Sequence, residues 1–174
     1  MTNKFYNEIA TLSVYIANLD EYVKGNLIGD WISLPIKKGD FRDFLFSIGN
    51  PEKIKILDYK DNLGLDGLKI GEYKSLKELN QLAKRMESID PYNVDALNAL
   101  YEALVYFEDA LDCLESGNYA FYDDMTIEEI AQKYIEACYD IPEGLRNYID
   151  YKAFASDMLL DSYYDTEYGV VKIL

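Results

Sequence analysis

The chain has 174 residues, with 17 Lys+Arg against 32 Asp+Glu, no histidine, and a net charge of −15. That length allows one ordinary domain or two to three very small ones, and 49% apolar residues supply material for a core. The absent histidines exclude Ser-His-Asp and Cys-His sites and zinc sites with His ligands, and the negative balance disfavours direct capture of DNA, RNA or an anionic membrane, which need a basic face.

The first segment reads as an antiparallel α+β unit. Leu12 to Ala17 is a strand candidate, followed by a loop from Asn18 to Gly29. Asp30 to Leu34 alternates and ends at Pro35, which cannot donate to a central ladder. Asp40 to Ile48 is a short helix stopped by Gly49-Asn50-Pro51, and Lys53 to Tyr59 alternates as a third strand. The Gly/Asp-rich loop Asp61 to Gly71 marks a boundary, giving a first domain over 1–70.

The second segment, 71–117, reads as helices. Ser75-Leu76-Lys77-Glu78 is a capping box that satisfies the first orphan N–H groups. Leu76, Leu79, Leu82, Ala83 and Met86 then form an apolar stripe, and Pro91 fits a helix start near Asp90. Leu97, Leu100, Leu104, Phe107, Leu111 and Leu114 repeat at alternating spacings of 3 and 4, closed by Gly117-Asn118. One continuous helix, or two with a break near Val105-Tyr106, both fit. On a continuous wheel Asp95, Glu102 and Asp109 recur every seven residues opposite the Leu stripe.

The third segment, 118–174, is a second α+β unit. Tyr119 to Tyr122 is a short strand, and Thr126-Ile127-Glu128-Glu129 is a second capping box. It starts a helix with Ile127, Ile130, Ala131, Tyr134, Ile135 and Cys138 inward. Pro142 to Tyr148 is a short helix or turn, Asp150 caps a helix through Leu159, and 162–173 reads as a hairpin with Gly169 in its turn region.

The charge is uneven. Residues 1–85 carry net +1 and residues 86–174 net −16, and no basic residue stands between Arg85 and Lys133. That base-free stretch of 47 residues holds 12 acids: Glu87, Asp90, Asp95, Glu102, Glu108, Asp109, Asp112, Glu115, Asp123, Asp124, Glu128 and Glu129. With Glu136 just beyond Lys133 they form the candidate partner-binding surface. A solvated face is the plain alternative. Such a face normally mixes Lys with Glu and gains i,i+4 pairs, and this one forgoes them. The pairs Asp123-Asp124 and Glu128-Glu129 also have a structural use near a helix N-terminus.

Other chemistry finds little footing. Cys113 and Cys138 lie 25 positions apart with no CxxC pair. They cannot build a metal site unaided, and two buried thiols are expected in preference to a single disulfide. The run Asp58 to Gly67 misses calcium-loop spacing, and no GxGxxG or phosphate-binding loop occurs. No cofactor, metal or small-molecule substrate is expected, and no catalytic residue. There is no signal-peptide apolar region, and no apolar run approaches the roughly 18 residues of a membrane span. A soluble cytoplasmic protein is expected.

The order of segments and several runs resemble the ArdA family of antirestriction proteins, carried by bacterial mobile elements. The runs are Val14-Tyr15-Ile16-Ala17-Asn18-Leu19 with Gly29-Asp30-Trp31 and Leu34-Pro35; Ile56-Leu57-Asp58-Tyr59; Leu76-Lys77-Glu78-Leu79-Asn80; and Ile141-Pro142-Glu143 with Asn147 through Phe154. One departure is visible: family members usually carry a short polar or Gly break in the acidic helical region, whereas Ala103 to Phe107 is apolar throughout. The resemblance implies an α+β fold of three small domains in an elongated chain, and a homodimer joined through the C-terminal domain. It also implies mimicry of the DNA duplex, blocking the DNA-binding groove of type I restriction–modification enzymes without catalysis. An acidic adaptor for another basic DNA-binding protein is the competing reading, and a carboxylate-dependent enzyme a distant third.

Overall fold

A computed structural model describes residues 3–65 and 68–174. Asp66 and Gly67, in the loop expected as a boundary and at the end of the rejected calcium run, lie outside the described residues. The fold is mixed α+β, built on two antiparallel three-stranded sheets. It separates into two compact units, Met1–Pro91 and Tyr92–Leu174.

In the first unit, β1 (Leu12–Asn18) is the central strand between β2 (Gly29–Leu34) and β3 (Ile54–Asp61). Its residues are buried on both faces except for half-buried Tyr15, which explains a near-continuous apolar run rather than strict alternation. Tyr15 lies opposite Trp31 on one side and Asp58 on the other, and the β1–β3 register shifts between Tyr15 and Ile16. The short helix α1 (Leu19–Tyr22) follows β1 directly. Buried Asn18 caps it, accepting from Glu21 N at 3.1 Å and donating to Ile48 O at 3.0 Å. That second bond ties down the end of α2 (Lys38–Ser47), whose Phe44 enters the core.

Helix α3 (Leu76–Glu87) completes this unit. Its capping box forms as expected between Ser75 and Glu78, and Leu79, Leu82, Ala83 and Met86 are buried. Asn80 fixes the helix in place: its amide donates to Ile36 O at 2.7 Å and accepts from Ile36 N at 2.8 Å.

A 3₁₀ turn (Pro91–Asn93) that begins at the last residue of the first unit leads into α4 (Val94–Leu104), and a break at Val105-Tyr106 separates it from α5 (Phe107–Ser116). Val105 has φ +69°, an outlier for a β-branched residue. The open alternative thus resolves as two helices, and the apolar run 103–107 does not hold one helix together. Asp95, Glu102 and Asp109 therefore share no single stripe, because the wheel restarts after Glu102. Gly117, with φ +68°, caps α5 in the left-handed conformation.

The chain continues through β4 (Tyr119–Tyr122), α6 (Ile127–Cys138), a 3₁₀ segment (Glu143–Tyr148), α7 (Tyr151–Leu159), β5 (Tyr163–Thr166) and β6 (Gly169–Ile173). The sheet order is β4-β6-β5, so the last strand is central. Gly169 is required where it stands: its φ is +135° and a Cβ there would meet Tyr122 O at 2.6 Å. Ile127, Ile130, Ala131, Ala155, Met158, Tyr163 and Val170 form one buried cluster of this unit. Two inward expectations fail. Tyr134 is 44% exposed and Cys138 is exposed, although both share the helical phase of the buried stripe. Ile135, between them, is buried, so the stripe stays covered along one edge while its flank at Tyr134 and Cys138 does not. Cys113 is half-buried, and both thiols are free.

Candidate partner-binding surface

The thirteen carboxylates singled out by sequence are all exposed. Glu87 and Asp90 belong to the first unit; the other eleven belong to the second. Residues 92–174 carry 4 basic and 18 acidic side chains, and every one of those acids is exposed, including Asp140, Glu143, Asp150, Asp157, Asp161, Asp165 and Glu167. These seven lie outside the base-free stretch. The signal for them was the scarcity of Lys and Arg through the C-terminal third.

Helix α5 shows how the fold sorts charge. Phe107, Ala110 and Leu111 turn inward, while Glu108, Asp109, Asp112 and Glu115 stay in water. Glu108, Asp112 and Glu115 follow one helical row at i, i+4 and i+7. Four carboxylates thus occupy about 15 Å of helix. Asp95 and Glu102 stand on α4, and Glu102 accepts a hydrogen bond from Glu167 N at 3.1 Å, bracing the turn between β5 and β6. Asp123 and Asp124 occupy the link between β4 and α6.

Some of these acids have local work. Glu129 closes the second capping box: it accepts from Thr126 N at 2.8 Å and from Thr126 Oγ1 at 3.1 Å. The Thr126 backbone bond, then its hydroxyl, hold the Glu129 carboxyl below its ordinary value. Glu128 sits in the same first turn, where the helix dipole favours negative charge. Glu136 lies 3.5 Å from the Arg146 guanidinium and accepts from Gln132. Its charge is partly offset, which weakens its place in the candidate set.

The first unit uses acids differently. Glu21 pairs with Lys24 at 2.7 Å and Glu72 with Lys55 at 3.1 Å. The Asp61 carboxylate accepts from the backbone N–H groups of Leu63, Gly64 and Leu65. Among the described residues no three His, Cys, Asp or Glu side chains gather as a metal-binding set, and no helix is long and apolar enough to cross a membrane.

Fold and surface together define a class: a small antiparallel α+β protein whose C-terminal unit displays a polyanionic surface. The chain belongs to the ArdA family, described as antirestriction protein (ArdA), whose family model matches residues 14–172. Antirestriction is the function that this family carries. Comparison with curated proteins finds no match.

Proposed function

We propose that the protein occupies the DNA-binding groove of a type I restriction–modification enzyme in place of duplex DNA, without catalysing any reaction. The observation that supports this most directly is the exposure of all 18 carboxylates of the second unit on a framework with only 4 basic side chains. A groove lined with Lys and Arg normally releases counterions from DNA. Carboxylates fixed on packed helices offer it a similar potential with no base to cleave or methylate.

The mimicry is coarse. Duplex DNA presents one charge per about 1.7 Å of axis. The base-free stretch drawn out as one helix would carry one charge per about 6 Å, and α5 alone reaches one per about 4 Å. Acids from several elements must therefore add, and a homodimer joined through the C-terminal part would double them. In this reading the three parts 1–70, 71–117 and 118–174 act as successive small domains of the mimic. The thirteen named carboxylates share the contact, and the protein works in the cytoplasm after arrival on a mobile element.

The test is inhibition of a purified type I enzyme, titrated against salt and competitor duplex. Inhibition that weakens with added salt and is relieved by excess DNA supports groove occupancy. Absence of inhibition at low salt across several such enzymes overturns it.

A further inference from the structure

A cavity of about 240 Å³ opens in the second unit between α6, α7 and the β5–β6 hairpin. Its walls include Tyr134, Phe154 and Tyr163, and Asp157, Asp161 and Lys172 supply its charge. It lies beside Tyr134, the partly exposed flank of the α6 apolar stripe. The Tyr134 and Phe154 rings stack at 5.8 Å between centroids. The volume falls below the roughly 300–1,000 Å³ of pockets for drug-sized ligands, which suits one long side chain rather than a nucleotide.

The lining selects for a cation. Aromatic faces attract ammonium and guanidinium groups, and Lys172 Nζ already sits 5.0 Å above the Tyr163 ring. Asp157 and Asp161 stand four residues apart, both facing the cavity, and neither has an ion-pair partner within 4.0 Å among the described residues. Two carboxylates against one lysine leave one net negative charge, matching one incoming cation. A guanidinium fits better than an ammonium, because its plane stacks on a ring while its N–H fork meets carboxylate oxygens.

We propose that this pocket receives an arginine side chain of the basic protein that the acidic surface engages. The identity of that protein rests on the groove reading above; the cation pocket itself does not. It would give the complex one fixed anchor, where the remaining surface contributes diffuse attraction.

The full chain is titrated with N-acetyl-arginine amide, and with the lysine analogue in parallel, following the ring signals of Tyr134 and Phe154 by NMR. A saturable shift confined to these rings and α7 is expected, with weaker binding of the lysine analogue. In the Asp157→Asn, Asp161→Asn double variant, whose exposed sites leave the core intact, apparent affinity for the arginine probe falls about tenfold. The same variant inhibits the type I enzyme less well than the wild type. A flat titration, a shift spread evenly over all acidic segments, or a double variant that binds and inhibits as the wild type does overturns the pocket. Ring shifts that follow protein concentration alone, and are reversed by the probe, assign the pocket to a second copy and also overturn it. Failure of the wild type to inhibit overturns only the identity of the partner.

Discussion

The rings of Tyr101 and Phe107 meet edge to face, 5.4 Å apart and 81° between planes, across the break at Val105-Tyr106. This contact joins the end of α4 to the start of α5, and so sets where two groups of carboxylates stand relative to each other. Phe107 is 3% exposed. Phe107→Ala is expected to destabilise the second unit by about 3–5 kcal/mol, the cost of emptying a buried aromatic site. Phe107→Leu costs distinctly less, because it refills most of the volume. Urea unfolding followed by circular dichroism separates the two, and equal losses would argue against a packed corner.

Val105 pays for the same corner in backbone strain. A β-branched residue at positive φ costs about 1–3 kcal/mol, and glycine removes that strain while adding about 0.5–1 kcal/mol of unfolded-state freedom. The side chain is 70% exposed, so little packing is lost. Val105→Gly is expected to raise stability by about 1 kcal/mol, read as a higher urea midpoint at unchanged slope. Inhibition of the type I enzyme should be retained, since no charge is altered.

The acidic surface should fail by degrees. Exposed charge contacts are individually worth about 0–1 kcal/mol. Asp95→Asn, Glu102→Gln and Asp109→Asn combined are expected to weaken inhibition more than any one alone, with the largest difference at low salt. Complete loss from one of these substitutions, with the fold intact, would point to a localised site instead.

The two capping boxes make a prediction about pH. Hydrogen bonds from the Ser75 side chain and then its backbone lower the Glu78 pKa, and those from the Thr126 backbone and then its side chain lower that of Glu129. A depressed folded-state value means that ionised carboxylate stabilises the fold above the unfolded-state value. That contribution is lost as the pH falls through the folded-state value. Stability should therefore decline on acidification below the ordinary glutamate range. Thr126→Ala, costing about 1 kcal/mol at neutral pH, should shrink the decline. Urea midpoints across that range, wild type against variant, measure the difference; an unchanged pH dependence would detach Glu129 from the cap.

Local chemistry made much of this architecture readable. Ser75 and Thr126 sit three residues before a glutamate, and the caps they announce depend only on neighbours within one helical turn. The strand around Val14 follows from an apolar run, and those around Ile32 and Ile56 from alternation, each bounded by turn residues. One continuous helix and two helices with a break at Val105-Tyr106 fit the sequence equally, because the Leu repeat passes through that point in phase. Only the packing of α5 against α4 fixes a conformation that the residue itself resists. Tyr134 and Cys138 show the converse: their phase predicts burial, but burial also needs a neighbour, and on this flank of α6 only Ile135 between them is buried.

The sequence by itself determined the type of nearly every element, the net charge of each part, and the base-free run, because these depend on residue identity and short spacing. Only the tertiary structure decided that Glu102 braces the turn between β5 and β6, that all 18 acids of the second unit face water, and that two of them share a cavity with three aromatic rings. Those facts depend on which surfaces meet, and residues as distant as Tyr134 and Lys172 meet only when a sheet and two helices pack together.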